Sequence, residues 1–394
     1  MDNEENGQPQ EPQIPSEAFD TVKAAAATSP TAALDAALES LRAAKLYGRV
    51  FDALLMKKRL EMNLPLLAPN IGSILTEEQR RVYEDFVIDA CRKTADMFLG
   101  SGDPAGAWPY LRTIGENELM RSALEKAVLD DGNSDALIGI AYHEGVHPVR
   151  GYEWILERHG TCNAVTVLEQ EVRHPPEIRR LLAGKLVRRL HTDLAYSLKQ
   201  EIVKRDATMP DTDDLSALIA GRDWLFEDNA YHIDASHLSA AVRHSVHMED
   251  AADLRLARQL ADYGKRLNQE WQYAGEPPFE NVYVDVFAYL NALLGDGADE
   301  GVAHFRAKIQ EVDEEGWNSI YAQTTVNLLH RMGRHAEAVD AFRDLKADAD
   351  GNVRLCPSFL ELCRLAGRHA DWAEYSRSHG DLLGFTAALA SGKV

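Results

Sequence analysis

One structural unit recurs along this chain: two amphipathic stretches joined by a short break, with small and bulky residues at fixed places around the joint. In one copy, Ala95, Phe98, Gly102, Ala107 and Leu111 mark that joint. Forty-four residues on, Gly139, Tyr142, Gly151 and Ile155 fall in the same relative positions. Near the C-terminus, Gly333-Arg334-His335-Ala336 recurs thirty-four residues later as Gly367-Arg368-His369-Ala370. Self-similarity at this period is the mark of stacked helical hairpins, each burying its apolar face against the next. It constrains the fold to an all-α class and weighs against most enzyme architectures.

The punctuation between the stretches agrees. Breaks fall at Gly102-Asp103-Pro104, Asp131-Gly132-Asn133, His147-Pro148, Pro175-Pro176, Pro210, Gly275 to Pro278, Gly295 to Gly297, Gly333, Gly351 and Gly367. The segments between them have the length of ordinary globular helices, about 12–20 residues. Leu34, Leu38 and Leu41 recur at helical spacing, and Thr76 with Gln79 forms a capping-box pattern opening a helix toward Leu99. Only Val282 to Val286 alternates as a strand does, and its continuation to Leu294 is helical in pattern, so the whole reads as one helix. Four regions follow. Residues 1–30 are expected to be a mostly disordered tail, with order from about Thr31, because the opening has too few large apolar groups to offset the entropy of ordering. Residues 31–174 form an N-terminal helical-repeat region. Residues 175–280 form a divergent helical region, and residues 281–394 carry C-terminal repeats.

Small residues at the eighth and twentieth positions of the unit let paired helices approach, while bulky ones at the eleventh and twenty-fourth fill the space between. In this the chain resembles the tetratricopeptide repeat. Gly139, Tyr142, Gly151 and Ile155 match those four positions, as do Ala95, Phe98, Ala107 and Leu111; Ala338 and Phe342 match the last two. Glu300-Gly301-Val302 with Phe305-Arg306 echoes Glu337-Ala338-Val339 with Phe342-Arg343. Thr325 and Val326 stand where that family has Leu and Gly, Trp372 takes a small position, and repeat-end prolines are mostly missing. The likeness spans about 90–160 and 290–380, extends to 31–62, and fades over 175–280. It implies a right-handed α-solenoid and a non-enzymatic scaffold whose concave face binds peptides or helices of partners.

Charge narrows the partner. The chain has 394 residues, with 42 Lys and Arg against 63 Asp and Glu, a net charge of −21. That balance weighs against a chain built mainly to grip nucleic acid or to dock on anionic membranes. No apolar run approaches a membrane span, and Met1 to Pro15 has no apolar stretch behind a basic start, so it does not read as a secretory signal. Cys91, Cys162, Cys356 and Cys363 show neither CxxC spacing nor framework density. Free thiols and a cytoplasmic location are the expectation.

Three groups of residues carry potential chemistry. His143-Glu144-Gly145-Val146-His147 satisfies the HExxH pattern, in which two histidines on one helix face hold zinc and the Glu activates water. Pro148 biases His147 away from helical geometry, and Gly145 costs roughly 1 kcal/mol against Ala inside a helix. The repeat register also places His143 at a helix end and His147 in the following turn. A third ligand would have to come from His159, Glu169 or Glu171. The second group is His237, His244 and His247, beside His232 and Asp234. On a helix from Asp234 to Met248 the three would lie within about 80° of one another and could hold a metal; boundary residues beside an apolar face are the plainer reading. The third is a basic island from Arg173 to Arg205: nine Lys and Arg, including Arg179, Arg180, Lys185, Arg188 and Arg189, against three acids. It suits an acidic partner, another acidic part of this chain, or a solvated helix face. No interleaved aromatic pairs favour RNA.

The aromatic pairs Trp108/Tyr110 and Tyr152/Trp154 recur at one place in adjacent copies. Core packing explains them; turned toward a groove, Trp108 and Trp154 would anchor a peptide. Asp348 to Val353 mimics the middle of a calcium loop but lacks both end carboxylates, and no P-loop or GxSxG elbow occurs. The expected protein is a scaffold for another protein or peptide, with no cofactor. A metal-dependent hydrolase at 143–147 and a nucleic-acid-associated adaptor at 173–205 stand behind it as alternatives.

Overall fold

The expected helix signals become helices. The structure is a computed structural model that describes residues 14–170, 174–309, 318–343 and 355–392. Among these residues every regular element is helical, and the one extended pairing is an isolated bridge between Ala274 and Asn281. No helix of the described residues is long and apolar enough to cross a membrane. All four cysteines are free. The chain divides into two compact units, one through Trp154 and the other from Ile155.

The first unit contains α1 (Ser16–Ala26), α2 (Pro30–Ala43), α3 (Tyr47–Glu61), α4 (Glu77–Gly100), α5 (Pro104–Ile114), α6 (Asn117–Lys126), α7 (Ser134–Ile138) and the start of α8 (Pro148–Arg158). From α1 to α6 each helix packs on the next. Their starts follow from local chemistry. Ser29 caps α2 ahead of Pro30, and Thr76 with Gln79 completes the capping box at α4. Asp103 caps α5 by accepting the Gly106 amide. At the α4–α5 joint, Ala95, Ala107 and Leu111 are fully buried, and Phe98 stacks on Tyr110 with its ring centroid 5.8 Å away. Small residues here bring the helices together and aromatic ones fill the space that remains.

Two details differ from expectation. Order begins before Thr31, because α1 is a helix. Ala18, Val22 and Ala25 form its half-buried stripe, and α1 packs on α2. Alanine supplies the helix propensity that a count of large apolar groups overlooks. Of the two glycines in the second copy, only Gly151 is a close-approach site. A Cβ there would lie 2.7 Å from the Tyr142 backbone nitrogen, whereas one at Gly139 would meet nothing within 4 Å. Gly139 instead opens a π-helical turn, Gly139–His143.

The second unit contains α9 (Gly160–Gln170), α10 (Pro176–Asp206), α11 (Leu215–Ile219), α12 (Ala235–Ser245), α13 (Ala251–Gly264), α14 (Val282–Leu294), α15 (Ala298–Ile309), α16 (Asn318–Arg331), α17 (His335–Arg343), α18 (Phe359–Leu365), α19 (His369–Ser378) and α20 (Leu382–Ser391). From α12 to α20 each helix packs on its successor. In addition α12 touches α14 and α14 touches α16, so the first helices of three consecutive hairpins lie side by side. The long α10 packs across both α12 and α13. The hairpin pattern therefore runs on through α12 and α13, where the repeat signature had faded.

The twin motifs in this unit share a device. Gly333 and Gly367 take positive φ and close the turns, and the arginine that follows each glycine bridges two hairpins. Arg334 donates to Glu337 at 2.6 Å and to Asp299 of the preceding hairpin at 2.6 Å. Arg368 pairs in the same way with Asp371 and, one hairpin back, with Asp340. A buried charge network holds the base of α14. The Asp285 carboxylate, 1 % exposed, accepts from His304 Nε2 at 2.7 Å, Lys308 Nζ at 2.8 Å and the Asn281 amide at 2.9 Å. Lys308 also donates to Glu280 and to the Pro278 carbonyl.

Candidate binding cavity

The three first helices α12, α14 and α16 present their shared side to a cavity of about 840 Å³. From α12 come Ser236, Ser239 and Arg243, spaced three and four apart on one stripe, with Val246 and His247 just past its end. The opposite stripe of α12, Leu238, Ala241, Val242 and Ser245, is buried in the core. Asp234 fixes the start of α12 by accepting the amides of Ser236 and His237. A hydrogen bond from the Ser236 hydroxyl, helped by these two amides, holds the Asp234 carboxyl below its ordinary range. From α14 comes Tyr289, and from α16 come Thr324 and Asn327.

The loop between α13 and α14 forms the facing wall with Tyr273, Glu276, Pro278 and Phe279; Leu355 joins them. That loop is braced by the Ala274–Asn281 bridge and by two backbone hydrogen bonds, Gly275 N–H to Glu280 and Phe279 N–H to Glu276. Phe279 packs edge-on against Tyr289 and Phe305.

Arg331 organises the floor. It lies on α16 and donates to the Val246 and Met248 carbonyls, just past the end of α12, and to the Tyr289 hydroxyl at 3.3 Å. Asn327 reaches the same hydroxyl at 3.5 Å. One guanidinium thus ties three first helices together at the edge of the cavity.

Arginines cluster around the α12 side of the cavity. Burial pushes the His244 imidazole down to about 4, helped by the adjacent Arg243 and by Arg179. His247 is also lowered, first by desolvation among its neighbours and then by Arg331, Arg179 and Arg180. Four arginines from α10, α12 and α16 thus act on these two imidazoles. Arg180 pairs with Glu249 and Arg243 with Glu169 at 2.7 Å.

His143 ends the π-turn, Gly145 takes φ 75°, and His147 stands before Pro148 with its Nδ1 accepting the Arg150 amide. His147 thus serves the start of α8, and its Nε2 lies 3.6 Å from Glu125, while Glu144 pairs with Arg112 at 2.9 Å. The two histidines do not share a helix face. α12 ends at Ser245, short of the expected Met248, so His247 lies off the helix that carries His237 and His244. Among the described residues no group of three or more His, Cys, Asp and Glu is placed to hold a metal ion. Glu171 and Arg173, and the calcium-loop mimic from Asp348 to Val353, lie outside the described residues.

Much of the basic island is spent within the chain. Arg188 grips the buried Asp253 through two hydrogen bonds, at 2.5 and 3.1 Å, and Gly184 leaves room for that carboxylate. Arg189 pairs with Asp193 and Lys199 with Asp213; Arg205 lies over the Trp224 ring. Lys185 is half-buried and engaged, and Arg179 acts on His244 and His247. Trp108 and Trp154 are 6 % and 1 % exposed, so both belong to the core and neither presents surface to a partner. The cavity brings together one member of the histidine cluster and, at its margin, the first turn of the basic island. Tyr289, Asn327 and Arg331 had carried no sequence signal of a site. No protein-family model, curated protein or solved structure matches the chain.

Proposed function

We propose that this chain is a non-enzymatic helical-repeat adaptor that holds a segment of another protein in the cavity between α12, α14 and α16. The observation that carries the reading is the cavity itself, lined by the first helices of three consecutive hairpins. Such a surface is assembled from rigid elements yet remains open to an extended ligand, which suits recognition better than a closed reaction chamber. Its size falls within the range of about 300–1,000 Å³ typical of ligand sites. Polar side chains on one wall and aromatic and aliphatic ones on the other supply orientation and buried area respectively.

The finer reading is a right-handed, tetratricopeptide-like stack. It is supported by the Ala95–Phe98–Ala107–Leu111 joint, the close approach at Gly151 and the paired Gly-Arg-His-Ala turns. Free cysteines fit work in a reducing cytoplasm. The separation of His143 from His147 and the ion pairs within the basic island favour the adaptor reading over the hydrolase and nucleic-acid ones.

The test is site-specific photocrosslinking in cells. A benzophenone side chain at Asn327, inside the cavity, should trap a discrete protein adduct. The same group at Leu383, which is 83 % exposed on α20, should not. Identical adduct patterns from both positions, or none from Asn327, would overturn the proposal.

A further inference from the structure

Within the docking reading, on which this step rests, the two walls of the cavity differ enough to specify what kind of segment fits. We propose that the occupant is an acidic peptide segment carrying interspersed apolar side chains. Its carboxylates face Arg243 on the α12 side, and its apolar groups face Tyr273, Phe279 and Leu355 on the other.

Charge complementarity carries the first half. Arg243 lines the cavity, Arg331 underlies it, and Arg179 and Arg180 approach from α10, a concentration of positive charge inside a chain whose net charge is −21. The carboxylates that now meet two of these arginines belong to the chain and stand at the surface. The Glu169 side chain is 39 % exposed against Arg243, and that of Glu249 is 68 % exposed against Arg180. Exposed ion pairs of this kind contribute about 0–1 kcal/mol, so an incoming carboxylate displaces them at little cost. Glu169 on Arg243 shows what a ligand carboxylate does there. At physiological salt the repulsion from the rest of the chain is screened beyond about 8 Å, and the local arginines decide the contact.

The facing wall carries the second half. Tyr273 and Leu355 are 49 % and 46 % exposed, large apolar side chains left in water beside Pro278 and Phe279. Glu276 on this same wall repels an acidic side chain, which fixes the ligand's charged edge toward α12. Thr324 and Asn327 on the floor offer hydrogen bonds to a ligand backbone without reading its sequence. Recognition of an acidic motif by clustered arginines, with apolar pockets opposite, follows general rules of peptide binding.

The experiment is fluorescence anisotropy on the full chain with three fluorescein-labelled decapeptides. The first is Asp-Glu-Leu-Asp-Glu-Phe-Asp-Glu-Leu-Asp; the second replaces each acidic residue by Lys; the third replaces Leu and Phe by Ser. The first should bind saturably and weaken as salt rises, and the other two should bind at least about tenfold more weakly. Arg243→Gln and Leu355→Ser, each with an unchanged circular dichroism spectrum, should each weaken the first peptide by about tenfold. Equal binding of the Lys peptide, indifference to Arg243→Gln, or no binding of the first peptide would overturn this inference. If that happens while Asn327 still traps a partner in cells, the docking reading stands and the ligand chemistry is wrong. If Asn327 traps nothing either, both fail.

Discussion

Asp285 and His244 are two buried titratable groups handled in opposite ways. Asp285 is surrounded by donors, so its partners cannot be removed singly without leaving charge stranded. Asp285→Asn should lower the stability of the second unit by about 3 kcal/mol, the scale for breaking a buried pair. Urea unfolding followed by circular dichroism measures this, and a change under about 0.5 kcal/mol would mean the network contributes little. His244 lacks such compensation: its Nε2 is buried without a hydrogen-bond partner. Its folded pKa, about 4, lies below the value of about 6.5 expected for the unfolded chain. Its contribution is therefore fully present above pH 6.5 and is lost as pH falls toward 4, because the unfolded chain takes up a proton that the folded chain refuses. The difference in urea midpoint between wild type and His244→Gln should change over that window and stay flat above it. A difference that is flat throughout would contradict the assignment. Sequence alone placed His244 beside an apolar face, but which arginines surround it depends on α10 and α16, which are remote along the chain.

At the level of elements, starts were easier to read than ends. Thr76 and Gln79 form the expected capping box, Pro176 opens α10 after the expected break, and the ambiguous Val282–Val286 run belongs to a helix. These signals are local: a cap and its amides lie within one turn. The end of α12, at Ser245, is harder to read, because Arg331, which binds the carbonyls just past it, sits more than eighty positions later. Gly139 and Gly151 looked equivalent by register, and only packing separates them. Gly151→Ala should destabilise the first unit by about 1–3 kcal/mol, since the added methyl meets the Tyr142 backbone, which cannot swing aside. Gly139→Ala should not impose that clash. Thermal melts of the two variants decide this, and equal midpoints would refute the close-approach assignment.

Over the whole chain, contacts run mainly between consecutive helices, and in the second unit each hairpin leans on its neighbours. Damage in such an arrangement stays near its source. Ending the chain at Gly380, which removes α20, should strip hydrogen-exchange protection from α18 and α19 while leaving α12, α14 and α16 protected. Loss of protection throughout the second unit would show instead that it unfolds as one block. The all-α class and the packing of each helix on the next were legible because they depend on periodicity, which survives when individual residues change. The cavity was not, because its lining is drawn from α12, α14, α16, a loop and Leu355, each contributing a few residues with no shared motif. Arg331 shows how such a site escapes notice. It grips α12 through the carbonyls of residues 246 and 248, groups that every amino acid carries. Those carbonyls stay in place whatever side chains stand at the two positions, so the grip itself leaves no signature in the spelling of the sequence.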